Sequence, residues 1–186
     1  MVKKKTCVFI SGKGSNLKNL ILRSRDYNFP ITINLIICNN KKAAGIQYAK
    51  KYNIPLIILD TKKNSENKIL NQLRNHKIKF ICLAGYMKII SRKIVWNFNK
   101  KIINIHPSLL PKYKGLNTFS KVLKNKDIKT GCTVHYVNNK LDDGDVILQK
   151  FFYLKNGDNE IALKKKTQML EYKAFPEAII KIFINN

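Results

Sequence analysis

An amide, an imidazole and a carboxylate stand in two short segments of this chain, Ile103-Asn104-Ile105-His106-Pro107-Ser108 and Leu141-Asp142-Asp143-Gly144-Asp145, each just past an apolar run. Groups of these types can polarise a carbonyl and move protons. The amide of Asn104 donates to a developing oxyanion, and the imidazole of His106 carries a proton near neutral pH. The carboxylate of Asp142, if its turn faces His106, fixes the imidazole tautomer and raises its pKa. The chemistry that uses all three is acyl transfer. Asn104 and His106 are two residues apart, so the period of a strand puts both side chains on one face. Pro107 then blocks further pairing and leaves them at the carboxyl edge of a parallel sheet, where open α/β folds bind ligands. Asp143 and Asp145 read as turn residues, His135 as mainly structural within an apolar strand, and His76 as a solvated cap at a helix end.

A second segment, Ser11-Gly12-Lys13-Gly14-Ser15-Asn16-Leu17, follows an apolar run and opens a helical one. Two glycines allow a tight turn, and Ser15 and Asn16 are suited to cap a helix whose free N–H groups then face a ligand. Lys18 stands where a dinucleotide fingerprint needs its third glycine, so a phosphate monoester suits the loop better than a dinucleotide.

These residues need a scaffold. Apolar, β-branched runs recur at Cys7 to Ser11, Ile31 to Cys38, Leu56 to Leu59, Phe80 to Ala84, Lys101 to Ile105, Cys132 to Val137 and Val146 to Phe152. Helical spacing, as in Leu17, Leu20, Ile21 and Ile69, Leu70, Leu73, separates the first five. The pattern predicts an α/β fold: a Rossmann-like, mostly parallel twisted sheet of about seven strands with helices on both faces. The last two strands lack an intervening helix and predict an antiparallel edge, and a final helix over about Glu160 to Phe183 covers one face. No repeat or linker divides residues 1–186, which read as one domain.

At 186 residues and 45% hydrophobic content, the chain can bury a core. No apolar run reaches the roughly 20 residues of a membrane span, and the Lys3-Lys4-Lys5 opening leads into a run too short for a signal peptide, so a soluble, cytoplasmic protein is expected. Cys7, Cys38, Cys82 and Cys132 are widely spaced beside apolar runs and read as buried, reduced thiols. The net charge of +25 raises the question of nucleic acid. Only four of the 36 basic residues are Arg, however, and both base reading and bidentate phosphate clamps favour Arg. The lysines read as a solvated coat able to steer anionic substrates, with no nucleic-acid partner and no membrane.

Five segments together resemble the phosphoribosylglycinamide formyltransferases of the folate-dependent formyltransferase family. They are Ile10 to Leu17, Leu83-Ala84-Gly85-Tyr86-Met87, Asn104 to Gly115 (N-I-H-P-S-L-L-P-K-Y-x-G), Thr130 to His135 (T-G-C-T-V-H), and Leu141 to Gly144. The resemblance runs from about Lys5 to Phe183. It implies transfer of a formyl group from 10-formyltetrahydrofolate, as co-substrate, to the amine of 5-phosphoribosylglycinamide, giving formylglycinamide ribonucleotide and tetrahydrofolate in de novo purine biosynthesis. By the same resemblance Asn104, His106 and Asp142 are the catalytic trio, Asn104 and protonated His106 donating to the oxyanion. Gly14, Ser15 and Asn16 hold the phosphate, and Gln168 and Glu171 the ribose or glycinamide. Folate is met by Lys62, Met87, Lys88, Ile89, Ile90, Asn104, Asn138, Asn139, Lys140 and Leu141. No metal is implied, and the expected partners are small-molecule substrates, with the chain a monomer or weak homodimer. The chain departs from the family pattern at Lys62, where an Arg is frequent, at Asn117 and Phe119, where some relatives have His, and at Asp145, where Pro is common. The alternative is another user of the same donor, a methionyl-tRNA formyltransferase core or a formyltetrahydrofolate hydrolase. Those enzymes add an RNA-binding or a regulatory domain, for which 186 residues leave no room.

Overall fold

Cys7, Val8, Phe9 and Ile10 are wholly excluded from solvent. A run of consecutive buried residues is what a strand needs when both of its faces are covered. In the computed structural model, which describes residues 2–59 and 65–184, this run is the second half of β1 (Lys4–Ile10). Neighbouring strands are equally apolar: β2 (Ile31–Cys38) and β4 (Phe80–Leu83) pair with β1 in parallel, and β3 (Leu56–Ile58) pairs with β2 in parallel. Between them run α1 (Ser15–Ser24), a short 3-10 turn leading into α2 (Gln47–Lys51), and α3 (Ser65–Asn75). Leu17, Leu20 and Ile21 of α1 and Ile69, Leu70 and Leu73 of α3 are buried, as their spacing of three and four predicts.

The chain clusters into two compact units, residues 1–103 and 104–186. The first also holds α4 (Arg92–Asn97), whose Ser91 cap accepts from the Ile94 N–H at 3.3 Å. β5 (Ile102–His106) begins in the first unit and ends in the second. The second unit continues with α5 (Thr118–Lys124), β6 (Lys129–Tyr136), β7 (Val146–Tyr153) and α6 (Glu160–Ile184). β6 and β7 are antiparallel, and α6 packs on both. The sheet order is β3-β2-β1-β4-β5-β6-β7, so the sequence pattern located all seven strands, the antiparallel end and the final helix to within a few residues. All four cysteines are free and buried.

Gly131 on β6 faces Phe151 on β7. A Cβ there would lie 1.9 Å from the Lys150 carbonyl oxygen, so only glycine lets the two backbones approach this closely. Gly131→Ala should therefore cost about 1–3 kcal/mol, the range for overpacking. Urea denaturation of the variant checks this; a midpoint equal to the parent's would mean that β7 moves aside without loss.

Candidate active site

β5 ends where the sequence places its chemistry. His106 is 5% exposed while Asn104 is half-buried, and beyond them the chain leaves the sheet at Pro107. The following loop is fastened by buried polar bonds. Thr133 Oγ1 donates to the Ser108 carbonyl at 2.7 Å and accepts from the Leu110 N–H at 3.0 Å, and Gln149 Nε2 donates to the Leu110 carbonyl at 2.8 Å. The loop then passes through the left-handed region at Tyr113 (φ 58°), Gly115 (φ 77°) and Asn117 (φ 59°). Such turns aim backbone groups inward: His106 Nε2 donates to the Tyr113 carbonyl at 2.9 Å, and the Gly115 N–H donates to Asp142 Oδ2 at 2.9 Å.

Asp142 itself has φ 47°, a conformation that aspartate tolerates better than most residues. Its carboxylate lies 3.3 Å from His106 Nδ1 and accepts from Asn104 Nδ2 at 3.3 Å. The turn therefore does face His106, and the three residues chosen from sequence meet in one cluster.

A fourth residue joins the cluster. His135, read as mainly structural, is 2% exposed and places Nε2 at 3.2 Å from Asn104 Nδ2 and 3.7 Å from Asp142 Oδ1. Its Nδ1 donates to the Tyr136 carbonyl at 2.7 Å, which leaves Nε2 as the acceptor for Asn104. The sheet register shifts between Val134 and His135, and a bulge of this kind re-aims a side chain. The strand's alternating pattern carries no sign of it, although the T-G-C-T-V-H segment was a signal available in the sequence.

Burial and charge oppose one another at His106. Burial pulls the His106 pKa below its ordinary 6.5; the Tyr113 carbonyl and Asp142 raise it and His135 and Lys121 lower it, with burial the largest effect. The carboxylate acts in the expected direction, but desolvation outweighs it. For Asp142, burial alone would lift the pKa, yet His135, the Gly115 N–H and His106 together hold it below the ordinary value.

The glycine loop also differs in detail. α1 starts at Ser15, and Gly14, at φ 71°, occupies the cap position without a side-chain cap bond. Ser15 and Asn16 are thus the first helical residues, not caps. A Cβ on Gly14 would lie 2.7 Å from the Gly45 Cα, and the Gly45 N–H donates to the Gly12 carbonyl at 3.0 Å. The result is a bare backbone turn at a helix N-terminus, suited to an anion.

In the same unit Ser11 Oγ accepts from the Met87 N–H at 2.8 Å. Met87 and Ile89 are 72% and 78% exposed, whereas Ile90 is 8% exposed. The expected folate segment thus offers two apolar side chains from a fastened backbone, and Ile90 belongs to the core. In the β6–β7 connection, Asn138 Nδ2 donates to the Asp143 carbonyl at 3.1 Å and Asn138 Oδ1 accepts from the Lys140 N–H at 2.9 Å. Asn139, Lys140 and Leu141 are exposed. Lys62 lies outside the described residues. Gln168 and Glu171 are half-buried on α6. Glu171 is close enough to Cys132 to reinforce burial in pushing that thiol up to about 12. Among the described residues, no group of three or more His, Cys, Asp or Glu could hold a metal ion, and no helix is long and apolar enough to cross a membrane.

Comparison with known proteins identifies the family. The sequence profile described as formyl transferase matches residues 4–179. The chain is 34% identical over 190 residues to the phosphoribosylglycinamide formyltransferase of Bacillus subtilis (strain 168), covering 98% of this chain and 97% of that protein. It is 38% identical over 182 residues to the human trifunctional purine biosynthetic protein adenosine-3, covering 95% of this chain but only 18% of that protein. Against the same protein of Chironomus tentans it spans 13% of the relative's length. The crystal structure of phosphoribosylglycinamide formyltransferase from Anaplasma phagocytophilum superposes with a TM-score of 0.92 at 35% identity, over 97% of this chain and 87% of that one. That from Bacillus halodurans gives 0.92 at 30%, over 97% and 96%.

An NMR titration should place the His106 midpoint below 6.5, and Asp142→Asn should move it lower still, since the carboxylate is a raising influence. A midpoint at or above 6.5, or one unmoved by the substitution, would contradict the balance described. Stability has the matching sign. Just below pH 6.5 the unfolded chain binds the His106 proton more readily than the folded chain does. This contribution is full above 6.5 and falls as pH drops through the window down to the folded pKa. The Asp142 contribution is present above 3.8 and is lost only as pH falls through its depressed folded value.

Proposed function

The chain belongs to the formyl transferase family, and from that premise we propose that it transfers a formyl group from 10-formyltetrahydrofolate to the primary amine of 5-phosphoribosylglycinamide. The observation that carries this reading is the cluster of Asn104, His106, His135 and Asp142 at the end of β5, in which a buried carboxylate lies between two imidazoles and accepts from an amide.

When bound, the folate supplies the activated formyl carbon, and the chain's own groups do the rest. Met87 and Ile89 suit a flat apolar ring, and the Gly14 turn suits the phosphate of the acceptor. Asn104 Nδ2 is the oxyanion donor. Its bonds to Asp142 and His135 are both over 3.1 Å, and a developing negative charge is the stronger acceptor. His106 faces an acceptor at each ring nitrogen, the Tyr113 carbonyl at Nε2 and Asp142 at Nδ1. Its Nε2 is committed to Tyr113, which leaves Nδ1 to take the amine's proton by way of Asp142. The imidazolium then returns a proton to the leaving nitrogen. Gln168 and Glu171 remain the candidates for gripping ribose or glycinamide, and Asn138 to Leu141 for closing over the folate. The same reading gives a cytoplasmic protein with small-molecule partners, a monomer or weak homodimer.

The decisive assay mixes the protein with 10-formyl-5,8-dideazafolate, with and without 5-phosphoribosylglycinamide. Deformylation that requires the ribonucleotide is expected. Deformylation without it would make the chain a hydrolase, and none in either mixture would remove the reading. His106→Ala and Asp142→Asn should each lower kcat by about 10²–10⁴, the usual range for a positioned acid or base; near-normal turnover in both would take them out of the mechanism. Asn16→Ala should raise KM for the phosphorylated acceptor and leave a phosphate-free analogue unaffected, equal losses counting against the phosphate assignment.

A further inference from the structure

Tyr113 is a bulky residue held at φ 58°, and its carbonyl is what His106 Nε2 donates to at 2.9 Å. A non-glycine residue keeps such a conformation only where its surroundings enforce it. Here the enforcement comes from the far end of the side chain. The phenol donates to Asp127 Oδ2 at 2.8 Å and accepts from Asn125 Nδ2 at 2.9 Å. Asp127 is itself fixed: its side chain is 13% exposed, its N–H donates to the Val122 carbonyl at 3.2 Å, and its other oxygen takes Lys112 Nζ at 3.1 Å. The turn after α5 thus carries a carboxylate that holds the phenol of the residue whose backbone holds the histidine.

We propose that Asp127 is a positioning residue for the formyl transfer: by clamping the Tyr113 phenol it holds the Tyr113 carbonyl on His106 Nε2, so that the imidazole keeps its proton at Nε2 and turns Nδ1 to Asp142. The kinetic part rests on the reading that His106 carries the reaction's proton, whereas the clamp itself does not. The groups facing His106 are Asp142 from the β6–β7 connection, His135 from β6, Lys121 from α5 and the Tyr113 carbonyl. Of these, only the carbonyl depends on Asp127.

The test uses the full chain with Asp127→Ala, Tyr113→Phe and the double substitution, reading the His106 titration and tautomer by NMR alongside kcat and KM. Tyr113→Phe keeps the ring and the carbonyl and removes only the phenol bond, so it remains informative if Asp127→Ala folds poorly. Each single variant should lower the His106 midpoint and populate the Nδ1–H tautomer. Each should reduce kcat about ten- to a hundredfold, the scale of a small misplacement, with KM little changed. The double variant should be no worse than either single one, because both break the same bond. Asp127→Asn, which retains an acceptor for the phenol, should recover most of the rate, and Lys112→Ala should change neither readout.

An unmoved titration and normal kcat in Asp127→Ala and Tyr113→Phe would overturn the proposal. So would Lys112→Ala reproducing the loss while Tyr113→Phe does not, since the ion pair and not the phenol bond would then matter. If the parent fails to transfer formyl, the function proposed above falls while the titration still decides the clamp.

Discussion

Asp142 must stay ionised while nearly out of water, and most of the second unit is arranged around that demand. A carboxylate with 8% exposure cannot rely on solvent, and an isolated buried charge would neutralise itself by taking up a proton. The Gly115 N–H and the Asn104 amide donate to it, with His106 Nδ1 at 3.3 Å and His135 Nε2 at 3.7 Å beside them. Each of these depends on something further: Gly115 on a loop with three left-handed residues, Asn104 on the end of β5, His135 on a register shift in β6. The cluster is therefore a structural element as well as a chemical one. Taking away any one donor leaves the carboxylate short of a partner and disturbs the other three.

The same demand accounts for the shape of the loop after β5. A regular turn would point its carbonyl and amide groups outward. The loop is instead driven through positive φ at Tyr113, Gly115 and Asn117, with glycine where no side chain is needed and a tethered tyrosine where one is. For a residue such as Tyr113 a backbone conformation of this kind costs of order 1–3 kcal/mol. The Thr133 and Gln149 bonds to Ser108 and Leu110 set the root of the loop and offset part of that cost. Strain and fastening occur together because neither alone would hold a carbonyl against an imidazole and an amide against a carboxylate.

Legibility followed the range of the interactions. Strands with both faces covered are continuous apolar runs, so β1, β2 and β4 could be read directly, and the period of two placed Asn104 and His106 together. Asp142 was identified because a turn acid beside a glycine matched a family motif, but that its turn faces His106 is a tertiary fact absent from local pattern. That His135 reaches the cluster could not be read, because alternation within β6 gives no warning of the shift at Val134. Ser15 and Asn16 have the chemistry of caps, but Gly14 takes that position because the backbone must pass close to Gly45. The effect of Asp142 on His106 has the sign that the sequence reading gave it, whereas the degree of burial that outweighs it is a tertiary fact.

The charge of the chain bears on all of this. Asp127, Asp143, Asp158 and Glu177 each meet a lysine, as acids surrounded by 36 basic residues will; Asp142 alone in that set has histidines for ion partners. A lysine within reach would hold a permanent positive charge against Asp142, and the carboxylate could no longer exchange a proton with an imidazole at neutral pH. Burial is what keeps the lysine coat out. The desolvation that lowers the His106 pKa is thus the same barrier that reserves Asp142 for a partner able to gain and lose its proton. Outside that barrier, the excess positive charge is free to draw in anionic substrates.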